Sequence, residues 1–414
     1  MFPDPKGMKL LFVTPYLPGP PIFGGQRRIH GLMTELARSH EVSVIALVDS
    51  GIDQRAAIED TRSYCRNVVT VPDAWHRVQG RSKRLLQLGS LVSPRSWEWI
   101  LYQRPAFQRA LSRHLAEAHY DIVACEFVFM ANYRFGRVRD RGTRLVLDEH
   151  NIEYDIVRRT AAASSLDRKV FNELNWRKLR REETAAWKRF DGCTVTSERD
   201  REFLVEKVPG VPTAVVPNGV NVDLFRPSTD AAEPMTLLFF GAMNYYPNTD
   251  AAVYFAREIL PLLVRRFPGL KLRIVGPCGP GPVMDLRSDH VEVTGLVEDL
   301  PSEIGRATVV IAPLRIGGGT RLKILEGMAY GKPIVSTSIG AEGLDVVHGR
   351  EMLLADTPSA FAEEIGRILV DPELSAGLGR AARQLAEARY SWRTAATELE
   401  DFYRVLLAKV PRRN

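Results

Sequence analysis

The sequence predicts an α/β protein made of two Rossmann-like, doubly wound domains facing a central cleft. Three observations lead there. Short apolar runs alternate with helix-length segments along most of the chain, which is the pattern of parallel sheets covered by helices on both faces. The alternation breaks at a polar, proline-bounded stretch after residue 226 and then restarts. At 414 residues the chain also exceeds what one core ordinarily serves, so two domains of about 200 residues each are expected. The boundaries read as 1–216 for the first domain and 217–390 for the second, with 391–414 as a C-terminal helix.

Taken in order, Lys9-Leu-Leu-Phe-Val-Thr14 is a first buried strand, followed by a Pro/Gly loop that ends at Gly24 and Gly25. Ile29, Leu32, Met33 and Leu36 then recur at helical spacing, and residues 41–48 supply the next strand. Residues 120–124, 144–148 and 192–196 are further strand candidates separated by helix-length segments. In the second half the strand candidates are 236–240, 270–275, 290–294, 309–312 and 333–336, and residues 358–410 read as mostly helical.

Composition narrows the class. Apolar residues make up 45% of the chain and charged ones 26%, a balance that fits a folded globular protein and not a disordered one. No apolar run approaches the roughly 20 residues needed to cross a bilayer, and the N-terminus does not read as a signal peptide. Cys65, Cys125, Cys193 and Cys278 form no metal-ligand spacing, so a reduced, cytoplasmic setting is expected. The basic excess lies in residues 1–216, at net +8, while the remainder is at −2. Either a solvated basic face or an anionic partner, such as a phospholipid surface or lipid diphosphate carrier, accounts for that asymmetry.

The segment richest in chemistry is Arg315-Ile-Gly-Gly-Gly-Thr-Arg-Leu-Lys-Ile-Leu-Glu326. A strand-like run, 309–312, precedes three glycines, and Leu322, Leu325 and Ala329 follow at helical spacing. Glycines at a helix start let backbone N–H groups approach an anion, and the helix dipole adds to the attraction. Arg321 and Lys323 add full charges. Lys323 and Glu326, three apart, share a helix face, so a phosphate and a neighbouring ribose hydroxyl fit side by side. A glycine run alone is as readily a surface turn; the cations and the carboxylate favour the anion site. Gly24 and Gly25 open a second helix in the first half, outside the dinucleotide-binding G-x-G-x-x-G spacing. Arg27 and Arg28 follow them, placed either to touch an acceptor phosphate or to face solvent.

The 315–326 segment resembles the C-terminal signature of the retaining GT-B glycosyltransferases of family 4, and other segments extend the likeness. Val216-Pro-Asn-Gly-Val-Asn-Val-Asp-Leu-Phe-Arg-Pro227 resembles that family's interdomain motif, and Gly24-Gly25 lies where it has an N-terminal glycine loop. Gly331-Lys-Pro-Ile-Val-Ser336 and Gly340-Ala-Glu-Gly343 resemble the strand and loop after the donor helix. The resemblance implies GT-B architecture, with a last helix from Ser391-Trp392 returning to the N-terminal domain. It implies a metal-independent retaining enzyme without cofactor, using a nucleotide-diphosphate sugar as donor and a glycan, lipid-linked or small-molecule acceptor. Donor contacts then fall on Gly318, Gly319, Thr320, Arg321, Lys323 and Glu326. Gly24, Gly25 and Arg28 form the acceptor or phosphate loop.

His150 closes a strand, in Asp148-Glu149-His150-Asn151, where ligands collect in open α/β sheets. By residue type alone it is as readily a packed histidine. The resemblance implies a cleft histidine against the donor sugar, which makes it the catalytic candidate. Two departures stand out. Gly318 occupies the position of the family's first donor-site glutamate, and residues 240–248 lack the usual Arg and Lys for the diphosphate. Arg321, Lys323 and Arg315 are the expected substitutes. Residues 75–114 mix arginines with Trp97 and Trp99, which suits either a membrane interface or two core tryptophans beside a solvated face, and no nucleic-acid motif accompanies them. A nucleotide-sugar epimerase and a catalytically silent nucleotide-sugar-binding subunit remain the alternatives.

Overall fold

The computed structural model describes residues 7–73, 80–162, 166–227, 232–316 and 321–408, which form two compact units. One comprises Met1–Pro217 and Ala395–Asn414, the other Asn218–Thr394.

In the first unit the described strands are β1 (Lys9–Thr14), β2 (Glu41–Asp49), β3 (Asn67–Asp73), β4 (Ile122–Glu126), β5 (Arg144–Glu149), β6 (Gly192–Val195) and β7 (Thr213–Val215). All pair in parallel, in the order β3-β2-β1-β4-β5-β6-β7. The central strands are buried on both faces, which is why residues 10–13, 122–125 and 145–147 read as unbroken apolar runs. Chain order reverses direction across the sheet between β1 and β4, and the crevice beyond their C-terminal ends is where open sheets of this type bind ligands.

The Trp392–Ala408 helix contributes Leu399, Phe402, Tyr403 and Leu406 to buried surface. Within the first unit Arg144 donates from Nε to the Leu406 carbonyl at 3.1 Å, and His40 lies 3.3 Å from Glu400. Gly192 is required where Phe402 crosses it, since a Cβ there would come within 2.7 Å of the ring.

The second unit carries β8 (Thr236–Phe240), β9 (Lys271–Val275), β10 (Val291–Gly295), β11 (Val309–Ala312), β12 (Ile334–Ser336) and β13 (Leu353–Leu354). They are parallel in the order β10-β9-β8-β11-β12-β13, so here the reversal falls between β8 and β11. One apolar cluster, including Phe239, Phe255, Ile274 and Phe361, packs one side of the sheet; another, including Leu238, Val310, Leu325 and Met328, packs the other. The Asn218-Gly219-Val220 segment is tied down by Val220 N–H donating to the Tyr390 carbonyl at 2.7 Å. Gly219 faces Trp392 so closely that a Cβ would lie 2.6 Å from its ring. A glycine in that motif is therefore set by packing.

Candidate active site

At the β1/β4 reversal of the first unit a buried polar group forms around Arg28. Its Nε and one terminal nitrogen each donate to Asp148 at 2.8 Å, and the other terminal nitrogen donates to the Val216 and Pro217 carbonyls at 2.9 and 3.3 Å. Thr194 Oγ1 donates to the same carboxylate at 2.5 Å. Burial, the largest influence on Asp148, raises its pKa, yet Arg28, His150 and Thr194 outweigh it and hold the group at about 2. His150 Nε2 is 2.8 Å from Glu126 Oε2 and 3.4 Å from Asp148 Oδ2, with the Phe127 ring tilted over it at 3.7 Å between centroids. Burial lowers its pKa to about 3, so the imidazole is neutral across the physiological range. Burial, and then the neighbouring charge of Asp148, push Glu126 well above the usual carboxylate range.

The placement of Arg28 corrects the expectation of a phosphate contact. Its side chain is 1% exposed, with the guanidinium turned into the core toward Asp148. Gly24 and Gly25 are the first residues of the Gly24–Leu36 helix rather than a loop. Gly25 is needed for space, because a Cβ would meet Tyr16 Oη at 2.0 Å and Phe127 Cζ at 3.0 Å. Glu149 accepts from Trp187 Nε1 at 2.6 Å and belongs to the core. Glu126, which the sequence reading passed over, ends a strand just as Asp148 nearly does, and that position was the available signal.

The second unit brings its cations to the β8/β11 reversal. Lys323, in the Leu322–Ala329 helix, donates from Nζ to Asn248 Oδ1 at 2.6 Å and lies over the Phe239 ring at 4.4 Å. Gly241, just past β8, has a φ of 143°, and a Cβ there would stand 3.1 Å from Nζ. Burial and then the charge of Arg321 lower the pKa of Lys323, against an upward pull from Glu326, to about 7. These three side chains therefore share one neighbourhood, with Arg321 preceding the helix and Glu326 4% exposed within it. Arg315 is directed elsewhere: it pairs with Asp250 at 2.7 Å and covers the Tyr254 ring at 4.3 Å. Gly318, Gly319 and Thr320 lie outside the described residues.

Among the described residues one set of potential metal ligands is gathered, Glu126, Asp148 and His150, with donor atoms within 4.8 Å of one another. Both Asp148 oxygens already accept from Arg28 or Thr194, so an ion there would have to displace the guanidinium. Trp97 and Trp99 are core residues, at 7% and 6% exposure, which removes them from a membrane interface. No helix of the described residues is long and apolar enough to cross a membrane.

With the sheets and their sites placed, comparison with known proteins gives the class. Residues 23–224 match the family model described as Glycosyltransferase Family 4, and residues 234–371 match the model described as Glycosyl transferases group 1. The chain belongs to this glycosyltransferase family. The D-inositol 3-phosphate glycosyltransferase of Saccharomonospora viridis is 31% identical over 253 residues, 53% of this chain and 56% of that protein. A GDP-mannose-dependent alpha-(1-6)-phosphatidylinositol monomannoside mannosyltransferase of Mycobacterium tuberculosis is 29% identical over 225 residues, 47% of this chain and 57% of that one. The chain thus spans a little over half the length of these curated relatives. Among solved structures, sucrose-phosphate synthase from Thermosynechococcus elongatus matches with a TM-score of 0.70 at 18% identity, covering 97% of this chain and 99% of that one. Anabaena HepE, solved in complex with UDP-glucose, matches at 0.63 and 18%, covering 96% and 100%. Both likenesses establish the GT-B fold, two Rossmann-like α/β domains.

Proposed function

We propose that the protein is a retaining glycosyltransferase that moves a hexose from a nucleotide-diphosphate donor to a hydroxyl of a glycan, lipid-linked or small-molecule acceptor. The observation that carries this reading is the placement of Lys323 at the β8/β11 reversal, bonded to Asn248 and neighboured by Arg321 and Glu326. Ligands of open sheets gather at that point, and the first turn of a helix adds its positive end to the two cations. In this reading Glu326 accepts from a ribose hydroxyl. The relatives' names, which include a GDP-mannose-dependent mannosyltransferase, support a nucleotide-hexose donor.

In front-side displacement the acceptor hydroxyl attacks from the leaving group's side, and a diphosphate oxygen takes its proton. The protein's share is to stabilise charge growing on the diphosphate, the task of Lys323 and Arg321. His150, neutral and fixed by Glu126 and Phe127, offers an uncharged hydrogen-bonding ring to the sugar. No metal ion is required, so turnover survives chelation. The enzyme works in the cytoplasm, with its basic residues 1–216 toward acceptors carried at an anionic membrane surface.

The test is a panel of nucleotide sugars screened by thermal shift, since a ligand that binds only the native state must raise the melting temperature. The stabilising donor is then incubated with acceptors, and the anomeric configuration of the product is read by NMR. An inverted product, or no stabilisation by any nucleotide sugar, would sink the proposal.

A further inference from the structure

At the β1/β4 reversal of the first unit an aromatic train leads away from His150. Phe127 stacks on Phe129 at 5.0 Å, Phe129 on Tyr102 at 4.1 Å, and Tyr16 sets its edge against Phe127 at 6.0 Å and Phe23 at 4.9 Å. Its inner members are buried, whereas Tyr16 and Tyr102 are half-buried and Phe23 is 48% exposed. An exposed phenylalanine at a helix start has no part in a core. Phe127 is held at a φ of 67°, a conformation costly for a non-glycine residue and typical of ligand sites. The Tyr16 hydroxyl is buried yet has no hydrogen-bond partner among the described residues, a condition native structures rarely leave unanswered. Gly25 is what makes room for that hydroxyl.

We propose that this cradle is the acceptor subsite and that it takes an uncharged sugar or polyol ring rather than a phosphorylated one; the proposal rests on the transferase reading above. Aromatic faces and edges match the C–H face of a hydroxylated ring, and the unanswered Tyr16 hydroxyl supplies a hydrogen bond to one of its hydroxyls. Arg28, the buried guanidinium of this helix, is engaged with Asp148 and with the Val216 and Pro217 carbonyls, so it offers a phosphate no ion pair. Gln26 also closes the loop, accepting from Ile22 N–H at 3.0 Å and donating to the Leu17 carbonyl at 3.1 Å, which fixes Phe23 in place.

The full chain tests this by ligand-observed NMR titration. The probes are methyl α-mannoside, methyl α-glucoside and myo-inositol against mannose 6-phosphate and inositol 3-phosphate, with nucleoside diphosphate binding followed in parallel by calorimetry. At least one neutral probe is expected to bind more tightly than its phosphorylated counterpart. Tyr16→Phe should weaken it about fivefold, the scale of one neutral hydrogen bond. Phe23→Ala, at an exposed site, should weaken it as well, and both variants should leave the nucleotide affinity unchanged. Preference for a phosphorylated probe, no binding of any neutral probe, or neutral binding indifferent to both substitutions overturns the subsite. If the neutral probe binds as described while no nucleoside diphosphate does, the subsite stands and the transferase reading falls.

Discussion

Arg28 and Asp148 meet through two hydrogen bonds of 2.8 Å with both side chains out of solvent, 120 positions apart in the chain. The pair ties the Gly24–Leu36 helix to the end of β5, and two further bonds from Arg28 to the Val216 and Pro217 carbonyls fix the segment that follows β7. Removing one partner of such a pair leaves a buried charge unanswered. Arg28→Ala should therefore cost about 3–5 kcal/mol, read from urea unfolding monitored in the first unit, whereas replacing both partners with apolar residues should cost much less. An Arg28→Ala loss under about 1 kcal/mol, the usual scale of an exposed pair, would show that the guanidinium faces water.

His150 is neutral because burial holds its pKa at about 3. A histidine acting as an ordinary titrating base would show a limb in the pH–rate profile near its unperturbed value of about 6.5. The expected profile has no such limb that disappears on changing His150. His150→Ala should lower turnover while leaving nucleotide affinity intact, because its contacts are Glu126, Asp148 and Phe127 in the first unit. Unchanged turnover in a folded variant would remove it from the chemistry.

Much of this was legible in the chain, and what was missed has physical causes. Strands such as β1, β5 and β11 are covered on both faces, so their apolar runs stand out. The sequence reading missed β3, β7 and β13, which all lie at sheet edges. Pro72 argues against a strand, and β3 tolerates it because an edge position leaves a ladder donor unneeded; β7 and β13 span three and two residues, too few for any periodicity. The Lys323–Glu326 spacing was readable because helix geometry is local. The bond from Lys323 to Asn248 spans 75 positions and depends on where β8 and β11 lie, so no local pattern reveals it. Arg28 was misplaced for the same reason: its partner is set by the sheet, and a helix face gives no warning of it.

Glu326 is buried one turn beyond Lys323, on the helix that carries the candidate phosphate cations. The proposed donor is a ribose hydroxyl. Glu326→Ala should weaken nucleoside diphosphate binding by about 1.5–3 kcal/mol, the scale for a hydrogen bond to a charged group. Calorimetry that finds the same affinity in both proteins would take the ribose away from Glu326.

Lys323 gives the sharpest pH test, because its environment works against its own charge. Burial, then Arg321, depress its folded pKa to about 7, far below its unperturbed value of about 10.4. In the empty protein the amine is protonated below that point and increasingly neutral above it. A bound diphosphate favours the charged form, so binding takes up a proton and the affinity for a nucleotide sugar should be highest below pH 7, falling as the pH rises toward 9. A nucleotide sugar is the proper probe, since its diphosphate keeps one charge state over that range. The stability linkage has the opposite sense: the native state binds fewer protons than the unfolded chain between about 7 and the unperturbed value, so Lys323 is a liability at low pH that is relieved as pH rises. Lys323→Met should therefore raise the melting temperature at pH 6 while weakening donor affinity and flattening its pH dependence. The bond to Asn248 and the ring of Phe239 hold the amine in place, so methionine fills similar volume without the charge. A variant that keeps the wild-type affinity and pH dependence would show that the diphosphate is met by other groups, with Arg321 the first to examine.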